Sequence, residues 1–125
     1  MAIRVVLIED NDVFREALEL LLELRGEIEI LAADRDGARA VALCREHDPD
    51  VILLDYRLPG LDGLQVARLV RQECPDVAVV VLTAGAEERE IETLLETGAV
   101  ACVGKEEPLD AIVGAIRRAA AVEAG

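Results

Sequence analysis

The sequence predicts one α/β domain: an open, doubly wound parallel sheet of five strands with helices on both faces. Three observations carry this. Five short apolar runs recur along 125 residues, segments with apolar residues at helical spacing separate them, and acidic or hydroxyl residues stand at the ends of several runs. At 53% hydrophobic residues, the chain has enough apolar surface for a single core, and the domain is expected to span residues 1–125.

The first run, "IRVVLI" from Ile3, lacks polar alternation and reads as a strand covered on both faces. A helix follows with Asn11 or Asp12 as its N-cap, Val13, Ala17, Leu20, Leu21 and Leu24 as its apolar face, and Gly26 as its stop. "IEILA" from Ile28 alternates at first and suits an edge. The second helix, marked by Ala38, Val41, Ala42 and Cys44, is the least apolar. "VILLD" from Val51 is the third strand, followed after Asp62 by a helix with Leu64, Ala67 and Val70 on one face. "VAVVVLT" from Val77 leads into a helix carrying Ile91, Leu94 and Leu95. "AVACV" from Ala99 leads, after Pro108, into one carrying Leu109, Ile112, Val113 and Ile116. Right-handed crossovers then favour the strand order 2-1-3-4-5, a three-layer (βα)5 sandwich with its switch point between the first and third strands.

Ligands in such sheets bind at the carboxyl ends of the strands beside the switch point. Glu9 and Asp10 follow the first strand, Asp55 ends the third, Thr83 ends the fourth and Lys105 lies just past the fifth. Two like charges about 4 Å apart repel by about 4 kcal/mol at an effective dielectric near 20, so three carboxylates there call for a cation. Lys105 supplies one charge; a hard divalent ion with oxygen ligands, Mg²⁺, supplies the rest. With that equipment Asp55 can attack phosphorus as a nucleophile, while Lys105 neutralises charge and Thr83 donates a hydrogen bond to a phosphoryl oxygen. The plain alternatives are that Asp55 caps a turn toward Pro59 and Gly60, that Glu9 serves the following helix's N-terminus, that Thr83 merely ends a strand and that Lys105 is solvated.

Other classes fit less well. A net charge of −13, from 13 Lys and Arg against 26 Asp and Glu, opposes binding to a phosphate backbone. Cys44, Cys74 and Cys102 are odd in number and form no CxxC pair, which argues for reduced thiols rather than a disulfide framework or zinc site. No apolar stretch reaches the roughly 18 residues of a membrane span, and no signal-peptide pattern opens the chain, so a cytoplasmic protein is expected. A flavin-phosphate loop would need a hydroxyl- and glycine-rich segment where "EDNDVF" stands. A phosphatase with an Asp nucleophile would want a second acid where Arg57 stands. His47, the sole histidine, reads as a surface or capping residue, and "EERE" from Glu87 as a solvated face.

"IEDN", "LLDYRLPGLDG", "VLTA" and "GK" stand in the order and approximate spacing of a response-regulator receiver domain, the phospho-acceptor half of two-component signalling, which the whole chain resembles. The resemblance implies a flavodoxin-like fold and phosphorylation of Asp55 by a sensor histidine kinase. It also implies Mg²⁺ held by Glu9, Asp10, Asp55 and the Arg57 carbonyl, with Thr83 and Lys105 sensing the phosphoryl group. "DVFREALELLLE" and the segment from Leu53 to Ala84 look most like receivers of LuxR-like regulators. There a helix-turn-helix domain carries DNA binding, so transcription control through a domain outside this chain is expected. The first helix and the helix ending in Ile116 offer a surface for a homodimer, although the same spacing serves the core equally well.

Three positions depart from the family's pattern. Cys102 stands where receivers usually carry Tyr or Phe, which predicts a weakened or altered switch. Gly104 precedes Lys105 and is expected to loosen it. Glu106 replaces the frequent proline after the lysine, so the usual cis bond is not assured. Arg57 and Gly85 occupy the variable positions that tune phosphoryl lifetime. The rival reading is a receiver-like interaction module that works without phosphorylation.

Overall fold

The computed structural model describes residues 2–124; Met1 and Gly125, the ends of the expected domain, lie outside the described residues. Strands β1 (Ile3–Ile8), β2 (Ile28–Asp34), β3 (Val51–Asp55), β4 (Ala78–Thr83) and β5 (Ala101–Gly104) form one parallel sheet in the order β2-β1-β3-β4-β5. Helices α1 (Asp12–Glu23), α2 (Ala40–His47), α3 (Gly63–Glu73), α4 (Glu88–Thr97) and α5 (Leu109–Ala124) connect or follow the strands, with a short 3-10 turn, Gly37–Arg39, before α2. The expected order and the edge position of the second strand are both found. The fifth strand begins two residues later than its apolar run.

Strand alternation sorts the apolar runs into two cores. Val5, Leu7, Leu53, Val80, Leu82 and Val103 point to one face, where Leu18 and Leu22 of α1 and Ile112, Val113 and Ile116 of α5 cover them. Val6, Ile8, Ile52, Leu54, Val79 and Val81 point to the other, under Leu43 of α2, Val66 and Val70 of α3 and Leu94 of α4. Uninterrupted apolar runs in β1, β3 and β4 are thus a consequence of double coverage. At the edge, β2 slips by one residue between Val5 and Val6, leaving Leu31 without a register partner, so its alternation does not persist.

Helix entries follow their side-chain chemistry. Asn11 caps α1 by accepting from the Phe14 amide at 2.9 Å. Asp62 and Gln65 form a reciprocal capping box on α3, Asp62 accepting from the Gln65 amide and Gln65 from the Asp62 amide.

The expected inner face of α1 requires correction. Val13, Leu20 and Leu24 are 79%, 63% and 73% exposed, and Leu21 is also exposed, whereas Leu18 and Leu22 are buried and Phe14 packs beside them. The sequence from Ala17 to Leu24 is apolar at all but two positions, so helical spacing alone selects no unique face. Gly26 is likewise not the helix stop: Leu24 is the C-cap, and Gly26 turns the chain at φ 76° two residues later. Leu43, not singled out by spacing, is a buried residue of α2, while Ala38 belongs to the 3-10 turn.

Candidate functional site

Register brings the predicted residues to one end of the sheet. Ile8 pairs with Leu54, Asp55 with Leu82 and Thr83 with Gly104, so Glu9, Asp55, Thr83 and Lys105 emerge side by side. Glu9, Asp55 and Thr83 are the buried polar residues beneath this edge. Lys105 Nζ reaches both acids, 2.7 Å from Glu9 Oε1 and 3.0 Å from Asp55 Oδ2, in ion pairs. Its backbone N–H donates to the Thr83 carbonyl at 2.7 Å, tying the lysine to the end of β4.

Each acid is further anchored. Glu9 Oε2 accepts from the Asn11 amide at 2.9 Å, and Asp55 Oδ1 accepts from the Arg57 amide at 3.2 Å. Burial pushes the Glu9 carboxyl above its ordinary value; Lys105 and the Asn11 amide only partly offset this, and the neighbouring Asp55 charge adds to the rise. Burial alone would lower the Lys105 ammonium, but its bonds to Glu9 and Asp55 and their charges outweigh that, and its pKa is raised. Two carboxylates facing one ammonium leave an uncompensated negative charge.

Asp10 stands apart from the cluster. Its carboxylate lies 3.7 Å from the Arg35 guanidinium, and among the described residues no group of three acids is gathered as a metal cage. Even so, the donor set fits a hard cation. Glu9 Oε1 is fully buried and faces the Lys105 ammonium at 2.7 Å, while Asp55 brings a second oxygen donor to the same place. Thr83 Oγ1 makes only a 3.5 Å contact to the Val103 carbonyl, so its hydroxyl is weakly engaged.

Three participants had no functional reading in the sequence. Phe14 places its ring 4.9 Å from Lys105 Nζ. Tyr56 donates its hydroxyl to Glu90 Oε2 at 2.8 Å, and Glu90 Oε1 accepts from the Glu87 amide at 3.0 Å. Glu87 is the N-cap of α4, so "EERE" is helix-starting machinery as well as a charged face. An open cleft of about 470 Å³, lined by Asp10, Tyr56, Arg57, Pro59, Asp62 and Glu90, adjoins the acids.

At the departures, Cys102 is half-buried against the core beneath α2, α3 and α4, and burial raises its thiol, as expected of a small packing residue. Beside Gly104, Lys105 bonds to two acids through its ammonium and to the Thr83 carbonyl through its backbone N–H. No cis peptide occurs among the described residues. Cys44 is buried and pushed up to about 12 by that burial, which suits an unreactive thiol. His47 is part-buried in the last turn of α2, its carbonyl accepting from Arg4 at 2.8 Å.

The response regulator receiver domain family matches residues 5–117. The chain belongs to that family. This receiver is 36% identical to the transcriptional regulatory protein DegU of Brevibacillus brevis over 92% of its own length and 49% of DegU. It superimposes on the signal receiver domain of the response regulator NarL from Mycobacterium tuberculosis with a TM-score of 0.89 and 38% identity, covering 96% of this chain and 97% of that one. A LuxR-family DNA-binding response regulator from Staphylococcus aureus gives a TM-score of 0.86 at 29% identity, covering 94% and 98%. Receivers of LuxR- and NarL-like regulators are thus among its homologues, and the receiver spans about half the length of the curated relatives it matches. No helix among its described residues is long and apolar enough to cross a membrane.

Proposed function

We propose that this receiver accepts a phosphoryl group on Asp55 from the phosphohistidine of a sensor kinase and uses it to shift a conformational equilibrium of its α4–β5–α5 side. The observation that carries the reading is the pair of buried acids, Glu9 and Asp55, bridged by half-buried Lys105 at the carboxyl end of the sheet. An Asp55 carboxylate oxygen forms the new O–P bond as the histidine N–P bond breaks, and the imidazole keeps the electron pair. Lys105 neutralises charge on the incoming group, and Thr83 is free to turn its hydroxyl from Val103 toward a phosphoryl oxygen. Glu9, Asp10, Asp55 and the Arg57 carbonyl would hold Mg²⁺, with Asp10 leaving Arg35. The ion supplies charge neutralisation on the transferred group.

The setting we assign is cytoplasmic, with transcription as the output through a DNA-binding domain beyond this chain and a homodimer as the active form. The domain's chemistry is confined to its own phosphorylation and hydrolysis. Intact mass after incubation with acetyl phosphate, with and without Mg²⁺, tests the reading. A Mg²⁺-dependent gain of one phosphoryl group that is absent in Asp55→Asn is expected. No adduct, together with no binding of beryllofluoride, would instead favour an interaction module that works without phosphorylation.

A further inference from the structure

The residue directly after the phospho-acceptor is tied to the helix expected to move. Tyr56 has its backbone fixed on both sides: its N–H donates to the Leu82 carbonyl at 2.8 Å, and its carbonyl accepts from Gly63 at 2.7 Å. Its ring packs partly buried against the core under α4, and its hydroxyl reaches Glu90. Glu90 occupies the third position of α4 and uses both carboxylate oxygens, one for the Glu87 amide that starts the helix and one for Tyr56.

The geometry points to Tyr56–Glu90 as a clasp through which the state of Asp55 is passed to the first turn of α4. This inference rests on the proposed phosphorylation of Asp55. A phosphoryl group there lands beside the Asp55–Arg57 backbone contact and disturbs the loop that fixes Tyr56. Movement of the ring breaks a hydrogen bond to a charged acceptor and changes the cap of α4 in the same step. Cys102, on the edge strand β5, contributes only a small side chain to that core. Tyr56 and Glu90 are coupling residues and need not touch the phosphoryl group.

The chain has one Tyr and no Trp, so tyrosine emission reports Tyr56 alone.

The deciding experiment is deuterium uptake of residues 87–93 in wild type and Tyr56→Phe, at rest and with beryllofluoride plus Mg²⁺, alongside phosphoryl uptake by intact mass. The clasp predicts about fivefold faster exchange in resting Tyr56→Phe, with most of the beryllofluoride-dependent change lost although Asp55 still gains its phosphoryl group. Identical uptake of the two proteins in both states would overturn it. If wild type gains no phosphoryl group, the Asp55 reading falls, and the resting comparison alone decides whether Tyr56 restrains α4.

Discussion

The ammonium of Lys105 stands 4.9 Å from the centre of the Phe14 ring, so α1 contributes an aromatic wall to a charge usually considered only with its acidic partners. The ring narrows the positions open to a half-buried lysine preceded by glycine and not followed by proline. A partly desolvated cation over a ring gains about 0.5–1 kcal/mol. Phe14→Leu is therefore expected to weaken beryllofluoride binding about two- to fivefold, with Phe14→Tyr close to wild type. Calorimetric titration in Mg²⁺ measures it; equal affinities for Leu and Phe at this position would reduce the contact to packing.

Removing the lysine should be more damaging than removing either acid. Lys105→Ala leaves Glu9 and Asp55 buried without their shared counter-charge, at a cost of about 3 kcal/mol at neutral pH. Urea unfolding at pH 7.5 reads the loss. The difference from wild type should shrink as pH falls through the raised Glu9 pKa, where that carboxylate takes up a proton; a loss independent of pH would point to packing of the lysine stem.

Glu9 sets the sign of a pH effect. Its folded pKa lies above the ordinary 4.5, because burial disfavours the charged form. The native state then binds more protons than the unfolded chain between 4.5 and the raised value, so this group's contribution to stability falls as pH climbs through that window and is flat above it. A divalent cation needs the carboxylate, so the thermal stabilisation by Mg²⁺ should grow with pH over the same interval. In Glu9→Gln the window should vanish and the Mg²⁺ shift should shrink at every pH. Thermal melts across pH 4 to 8 test both.

Much of this was legible before any coordinates. Strand order follows from right-handed crossovers, and the two-faced burial and the convergence of Glu9, Asp55, Thr83 and Lys105 from apolar runs that end in or shortly before a polar residue. The inner face of α1 was not legible, because leucines surround that helix and only packing under β1 and α5 selects Leu18 and Leu22. Nor were the Tyr56–Glu90 and Phe14–Lys105 contacts, which join side chains 34 and 91 positions apart through the crossover geometry. Asp10 follows Glu9 in sequence, but its side chain answers to Arg35, a residue with no visible signal of its own.

The corrected face of α1 has a direct test. Leu22 is fully buried, and Leu22→Ala should cost about 2–5 kcal/mol. Leu20→Lys, on a residue 63% exposed, should stay within about 0.5 kcal/mol. Chemical denaturation of the two variants settles which side of the helix carries the core; a larger loss in Leu20→Lys than in Leu22→Ala would restore the face that spacing suggested.

Two glycines near the site should respond in opposite ways, because what surrounds them differs in stiffness. A Cβ on Gly63 would lie 2.5 Å from Tyr56 Cα and 2.8 Å from the Asp55 carbonyl oxygen, both backbone atoms that the loop cannot move without shifting Asp55. Gly63→Ala should therefore destabilise by about 2–3 kcal/mol and lower phosphoryl uptake from acetyl phosphate. A Cβ on Gly104 would meet only the Glu106 carboxylate, the far end of an exposed, flexible side chain that can swing away. Gly104→Ala should stay within about 0.5 kcal/mol of wild type and keep its uptake, since Lys105 is held by Glu9, Asp55 and the Thr83 carbonyl whatever precedes it. Paired denaturation and intact-mass measurements distinguish the cases. Loss of uptake in Gly104→Ala with stability intact would mean that freedom at Gly104 is itself needed for Lys105 to follow the phosphoryl group.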